Sequence, residues 1–203
     1  MKALRILILS LTAILAASAT AQSADDILRA TAAKIAQSPS VEVQFTITAG
    51  AEPVEGSAVL AGGYFTLSTP MLRVWFDGLT QWTMLTQTGE VSITEPTPDE
   101  LMESNPFAIL RNYGNRYRAR RLSDVSGRKR VELTPLAGTD TDIERAILLV
   151  NGQGWPAAAE VHYKGNRTVA AAVDHISAGG AKPQSAFRFD PARYPASEII
   201  DLR

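Results

Sequence analysis

The chain has no cysteine and only two histidines. Without cysteine there can be no disulfide, no thiolate metal site and no thiol nucleophile, so stability must come from a packed core. His162 and His175 fall on separate predicted strands with no carboxylate at ligand spacing, so both read as structural residues and no metal site is expected. A Gly-x-Ser-x-Gly nucleophile elbow and a phosphate-cradling glycine loop are also missing. Glu95, Asp99, Glu100 and Glu103 look like a carboxylate cluster, but helix capping and the helix dipole account for acidic residues at that place. The reading is of a protein that is not an enzyme and needs no cofactor. Past the N-terminus there is no long apolar run, and hence no predicted membrane-spanning helix.

At the N-terminus, Lys2 and Arg5 precede an apolar run over residues 6–17, and Ala19-Thr20-Ala21 fits a small-x-small cleavage site. Residues 1–21 are therefore expected to be a cleaved signal peptide, and residues 22–203 a single exported domain in the periplasm. No cysteine follows the cleavage site to carry a lipid anchor. From residue 22 onward the chain holds 18 basic and 21 acidic residues, a net charge of −3. The distribution is uneven: residues 22–110 carry −8, residues 111–135 carry +6 and residues 136–203 carry −1. An exported chain that is acidic overall argues against nucleic acid as a partner.

Taken in order, residues 23–37 predict a helix, with Ile27, Leu28, Thr31, Ala32 and Ile35 on one face. Val41, Val43, Phe45 and Ile47 alternate with polar residues, the period of a strand with one wet face. Strands at 54–60 and 63–69 continue a meander. Residues 71–76, 81–86 and 90–94 are three more β-type runs, the first two divided by Asp77-Gly78, a strong hairpin signal. Two short helices follow. Thr97-Pro98-Asp99-Glu100 is written as a capping box with proline at the first helical position, and Asn105-Pro106 starts the second helix, which Gly114 is expected to stop. Strands at 115–122, 128–135, 143–151, 156–164, 168–177 and 185–189 complete the chain. The expected fold is mainly β: an incomplete antiparallel β-barrel of about eleven strands, with helices covering its concave face.

The second helix, Phe107-Ala108-Ile109-Leu110, carries more apolar surface than two turns can hide. Phe45, Phe65, Leu67, Trp75, Trp82, Met84, Ile93, Phe107, Ile109 and Leu110 have two readings, the core of a closed barrel or the lining of a cavity under a releasable lid. The basic strip is also two-sided. Arg116, Arg118 and Arg120 share one strand face, and with Arg128 and Arg130 they form either the charged edge of a hairpin or a docking surface for an acidic partner or anionic head groups.

Over residues 71–114 the chain resembles the LolA-type periplasmic carriers of outer-membrane lipoproteins. The matching residues are Val74-Trp75-Phe76-Asp77-Gly78, Trp82, Val91-Ser92-Ile93 and Asn105-Pro106-Phe107-Ala108-Ile109-Leu110. The ending, Phe187-Arg188-Phe189-Asp190-Pro191 through Ile199-Ile200-Asp201-Leu202-Arg203, is similar to the family's closing strand and tail. The resemblance implies a hydrophobic cavity that takes acyl chains of lipoproteins, or other lipids, from an inner-membrane exporter and passes them to an outer-membrane receptor. It also implies a monomer with transient membrane-surface contact. On that reading Trp75, Trp82, Met84 and Ile93 would line the sheet side, and Phe107, Ile109 and Leu110 would form the lid. Where the family usually carries Arg-Pro before an aromatic, with the arginine latching the lid, this chain reads Ala61-Gly62-Gly63-Tyr64-Phe65, so the latch is either missing or supplied elsewhere, with Arg73 as a candidate. The alternative is a lipid-sensing or interaction module on the same scaffold, without onward transfer.

Overall fold

The computed structural model describes residues 22–50, 52–97, 100–101 and 109–203. The expected signal peptide, the start of the second lid helix at Asn105-Pro106 and Phe107 lie outside these residues.

Helix α1 (Ala24–Gln37) begins where Ser23 caps it, its side-chain oxygen accepting from the Asp26 N–H at 3.1 Å. Ile27, Leu28 and Thr31 give it a buried stripe. Twelve strands then build one open, unclosed sheet: β1 (Ser40–Thr48), β2 (Pro53–Ala61), β3 (Tyr64–Ser68), β4 (Leu72–Phe76), β5 (Gln81–Leu85), β6 (Val91–Thr94), β7 (Tyr117–Val125), β8 (Arg128–Pro135), β9 (Ile143–Val150), β10 (Pro156–Tyr163), β11 (Arg167–Gly179) and β12 (Ile199–Asp201). The spatial order is β12-β6-β5-β4-β3-β2-β1-β11-β10-β9-β8-β7. Two antiparallel meanders are thus stitched together where β1 pairs with β11, and the result is the expected incomplete barrel. Helix α2 (Ile109–Arg116) leads into β7; Gly114 does not stop it, and it runs two residues further.

The sheet has an inner face, on which α1 lies, and an outer face. On the inner face Ile27 and Leu28 pack against Val131, Leu133, Leu148, Val150 and Val161 from β8–β10. Ile35 extends that contact to Val41, Val43 and Phe45 on β1. Beyond these, Phe65, Val74 and Phe76 form a third group on β3 and β4, with Leu101 packed on it. Leu101 is held in place by the predicted capping box. The Glu100 carboxylate accepts from the Thr97 N–H and hydroxyl at 2.7 and 2.9 Å, and the Leu101 N–H donates to the Thr97 carbonyl at 3.0 Å.

The end of the chain departs from expectation. Residues 185–189 are not a strand. Pro183 and Pro191 bracket them, and the chain makes 3-10 turns at Gln184–Phe187 and Pro191–Arg193 instead. The last strand is β12, which pairs with β6 in parallel. Between the two turns the tail crosses the outer face. Phe187, 1% exposed, stacks on Tyr64 at 5.8 Å between ring centres. Phe189 and Tyr194 both meet Trp75 edge-on, at 5.5 and 5.6 Å. Arg188 donates through Nε and Nη2 to Asp77 Oδ2 at 2.8 and 2.7 Å, while Asp77 Oδ1 accepts from the N–H groups of Leu79 and Thr80. The Asp-Gly hairpin turn is therefore also the anchor for the tail.

Two outcomes follow from these contacts. A Cβ at Gly56 would stand 2.5 Å from the ring of the buried Phe45, which lies across β2, and 3.0 Å from the Ser68 carbonyl oxygen. Gly56→Ala should lower stability in urea unfolding by on the order of 1–3 kcal/mol, the range for forced overpacking. Burial pushes the Asp77 carboxyl up, but the Thr80 and Leu79 N–H donors and Arg188 outweigh it and hold its pKa below the usual value. A carboxyl depressed in the folded state contributes stability above its unfolded pKa of about 4 and loses that contribution as pH falls through the folded value. The stability deficit of Asp77→Asn, measured by urea unfolding, should be present at about pH 6 and shrink steadily below about pH 4.

Candidate functional site

Strand geometry decides which side chains can meet. Cross-strand partners share a face, so the pairs Val43↔Ala58, Ala58↔Leu67, Leu67↔Val74, Val74↔Thr83 and Thr83↔Ser92 trace one continuous row on the inner face, which Ile47 and Val54 share. The neighbouring row, Thr66↔Trp75, Trp75↔Trp82 and Trp82↔Ile93, lies on the outer face. The inner row is apolar as far as β4 and turns polar at β5 and β6, where its members are Gln81, Thr83, Ser92 and Thr94. On those same strands the apolar residues Trp82, Met84, Val91 and Ile93 are outside, where Met84 and Val91 are buried with Phe189.

Above the inner row, between sheet and helical turn, is a cavity of about 450 Å³. Ile47, Leu67, Leu72 and Val74 form its apolar floor, Thr69, Gln81, Thr83 and Thr94 its polar side, and Pro96 and Glu100 its rim. A second hollow of about 630 Å³ lies on the outer face at the bulge in β1, lined by Gln44, Thr46, Glu55, Ser57, Ser68 and Asp174 among others. It is polar, with Thr46 donating to Asp174 at 2.8 Å. Of the two, the inner cavity has the composition for an acyl chain: apolar walls with a few hydrogen-bonding groups. Among the described residues no three His, Asp or Glu side chains converge as metal ligands.

The structure does not bring the sequence-expected cavity residues together. Phe45 and Phe65 are on the inner face, buried beside the cavity in the β1 and β3 packing. Trp75, Trp82, Met84 and Ile93 are on the outer face instead of lining the sheet side of the cavity. The alternation in β4–β6 permits either assignment, and a one-residue change of phase exchanges the faces. Leu110 is 3% exposed and belongs to the core under α1, not to the cavity. Ile109 opens α2 as described, and Phe107 lies outside the described residues. Leu67, one of the residues with the two sequence readings, does line the cavity, whereas Ile47, Leu72 and Thr83, which line it too, were legible only as members of β-type runs. Arg73 is not a latch on the helical side: it projects outward and donates to the Tyr194 hydroxyl at 2.9 Å, tying the tail down.

Arg118 and Arg120 lie on β7 at an edge of the sheet, since β7 has a neighbour only in β8, whereas Arg116 ends α2 and does not share their strand face as expected. Arg116 donates to the Asp140 carbonyl at 2.8 Å, and Arg120 reaches Glu132 Oε1 through Nη2 at 2.8 Å. Arg118, Arg128 and Arg130 have no side-chain hydrogen bond or ion pair among the described residues. Arg118, Arg120 and Arg130 share the outer face, with Arg120 opposite Glu132 and Arg130 opposite Leu122. Arg121, one position out of phase, turns to the other side and ties up the carbonyls of Leu122 and Arg130.

No curated protein matches the sequence. Among solved structures, an uncharacterized conserved protein from Thermus thermophilus superposes with a TM-score of 0.60 at 9% identity, over 88% of this chain and 98% of that one. A DUF1329 family protein from Desulfovibrio piger gives 0.50 at 11% identity, over 81% of this chain and 97% of that one. At these identities the likeness is one of fold. MucB in the Pseudomonas aeruginosa MucA/MucB complex also matches, with a TM-score of 0.43 at 13% identity over 82% of this chain and 61% of that one. The model of one protein family, described as outer membrane lipoprotein carrier protein LolA, matches residues 14–133, from before α1 into β8. By that match, over more than half its length, the chain belongs to the LolA-type family of outer membrane lipoprotein carriers.

Proposed function

We propose that this protein is a periplasmic carrier that shields the acyl chains of lipoproteins, or of similar lipids, in the inner-face cavity and hands them from an inner-membrane exporter to an outer-membrane receptor. The observation that carries the reading is the cavity itself. Its floor of Ile47, Leu67, Leu72 and Val74 is apolar, and it is set between the sheet and a capped helical turn. Affinity comes from hydrocarbon leaving water, about 0.8 kcal/mol per methylene, so several sequestered methylenes suffice without a covalent step, a cofactor or catalysis. Residues 1–21 serve as the signal peptide that exports a single domain, residues 22–203. Arg118, Arg128 and Arg130, unpaired among the described residues, offer a positive patch at the sheet edge for an acidic partner or a membrane surface. That patch is also what favours the second reading, a lipid-sensing or interaction module that keeps its lipid.

Leu72 is half-buried and lines the floor, so Leu72→Trp fills the cavity without burying a charge. Native mass spectrometry of protein purified from the envelope should show co-purified acylated peptide or lipid on the wild type and a bare mass for Leu72→Trp, with unchanged circular dichroism. Equal lipid on both proteins would place the binding elsewhere and remove the cavity from the reading. Lipid retained by the wild type in the presence of acceptor outer-membrane vesicles, with no transfer over hours, would favour the sensor.

A further inference from the structure

The sheet ends at β7, a nine-residue strand with an open side. One bond sets the phase of its backbone: the Leu136 N–H donates to the Arg116 carbonyl at 2.8 Å, one position before the opposed Tyr117 and Pro135. In an antiparallel ladder such bonds recur at every second pair. Arg118, Arg120 and Leu122 therefore turn their N–H and C=O groups to β8, and Ala119 and Arg121 turn theirs to the open side. Among the described residues no other strand or loop donates to or accepts from those two backbones. Side chains alternate with the same period. Arg118 and Arg120 stand exposed on the outer face beside Arg128 and Arg130 of β8, and Glu132, set among them, is already held by Arg120. On the inner face Tyr117 is buried and Ala119 packs at the margin of the core under α1. Arginines at an edge discourage a second copy, since two such edges would set like charges opposite one another. They do not discourage a strand of opposite sign. An anionic membrane surface would meet the arginines and leave the outward backbone groups without partners, whereas an extended peptide supplies both.

We propose that β7 is extended by a strand of another protein, an acidic segment that pairs backbone to backbone along residues 118–122 and in which carboxylates alternate with apolar residues. The carboxylates stand opposite Arg118 and Arg120 on the outer face, with Arg128 and Arg130 behind them, and the apolar side chains lie beside Ala119 on the inner face. The inference deepens the docking patch of the carrier reading above and rests on that reading for what the partner does.

The test is fluorescence anisotropy of labelled peptides with the full protein purified from the envelope, near neutral pH. The probe alternates glutamate and valine. One control replaces each glutamate with lysine, and another keeps the glutamates but carries N-methyl groups on alternate amides, so that it has the charge without the ladder. The probe should bind at one per protein, on the order of tenfold or more tighter than either control. Arg118→Glu reverses an exposed charge that has no partner among the described residues, and should weaken the probe by a similar factor with unchanged circular dichroism. Ala119→Pro removes an outward N–H, at the kind of edge position where a strand tolerates proline, and should weaken the probe with every arginine still in place. If that variant misfolds, the N-methylated peptide on the wild type decides the same point. An N-methylated peptide that binds as tightly as the probe reduces the edge to a patch of charge and overturns the proposal. So does a protein that binds no peptide, or one that binds phosphatidylglycerol vesicles and no peptide. Leu72→Trp should bind the probe as the wild type does, so a failure of the carrier reading shows separately, as a wild type that holds no lipid while the peptide results stand.

Discussion

A twelve-stranded sheet that does not close on itself has two faces along its whole length and cannot shield either one alone. The chain resolves this by burying different faces at different ends. From β8 to β4 the inner face is apolar, covered by α1 over β8–β10 and β1 and by Leu101 over β3 and β4. At β5 and β6 the apolar residues cross to the other side, where Trp82, Met84 and Val91 lie beneath the C-terminal tail. Strand β4 is the pivot. Val74 and Phe76 are buried inward, while Trp75 faces outward against Phe189 and Tyr194. Every other feature of the site depends on that exchange of faces.

The cavity is its direct product. If β5 and β6 had continued the apolar inner row, helix and sheet would have packed together and left no hollow. Because threonines and a glutamine stand there instead, the inner face between floor and helical turn is neither fully dry nor fully wet. Such a surface tolerates being empty and still gains from hydrocarbon laid along its dry half. The tail meanwhile supplies on the outside the cover that the strand pair lost on the inside. It is fastened by an ion pair to a turn already rigid from its own Asp77 hydrogen bonds.

Much of this was legible in the chain. The β-rich meander, the first helix, the Asp77-Gly78 hairpin and the Thr97–Glu100 capping box are local devices, and local chemistry specifies them. The family resemblance likewise rested on the order and spacing of short motifs along the chain. What was not legible is which face Trp75, Trp82, Met84 and Ile93 occupy. A strand that is apolar on both sides, as β4 is, gives no phase, and its neighbours inherit the ambiguity. The prolines at 183 and 191 could have told against a strand at residues 185–189, and the parallel pairing of β12 has no local signature at all. Arg73 illustrates the same limit: its position in sequence is compatible with a latch, and only the pleat sends it to Tyr194.

The join between the two meanders also sets the order in which the molecule can be made. β1 is complete early in synthesis, but its partner β11 and the covering tail emerge late. Until they arrive the first six strands have an unpaired edge at β1 and an uncovered aromatic patch at Trp75 and Trp82. Long-range pairing of this kind is slow, and exposed edges beside apolar surface invite association with other chains. On the proposed route of export, N-terminus first, the chain crosses the membrane with its stickiest surface still waiting for the tail. Its safe arrival then depends on whatever holds unfolded chains apart in the compartment it enters.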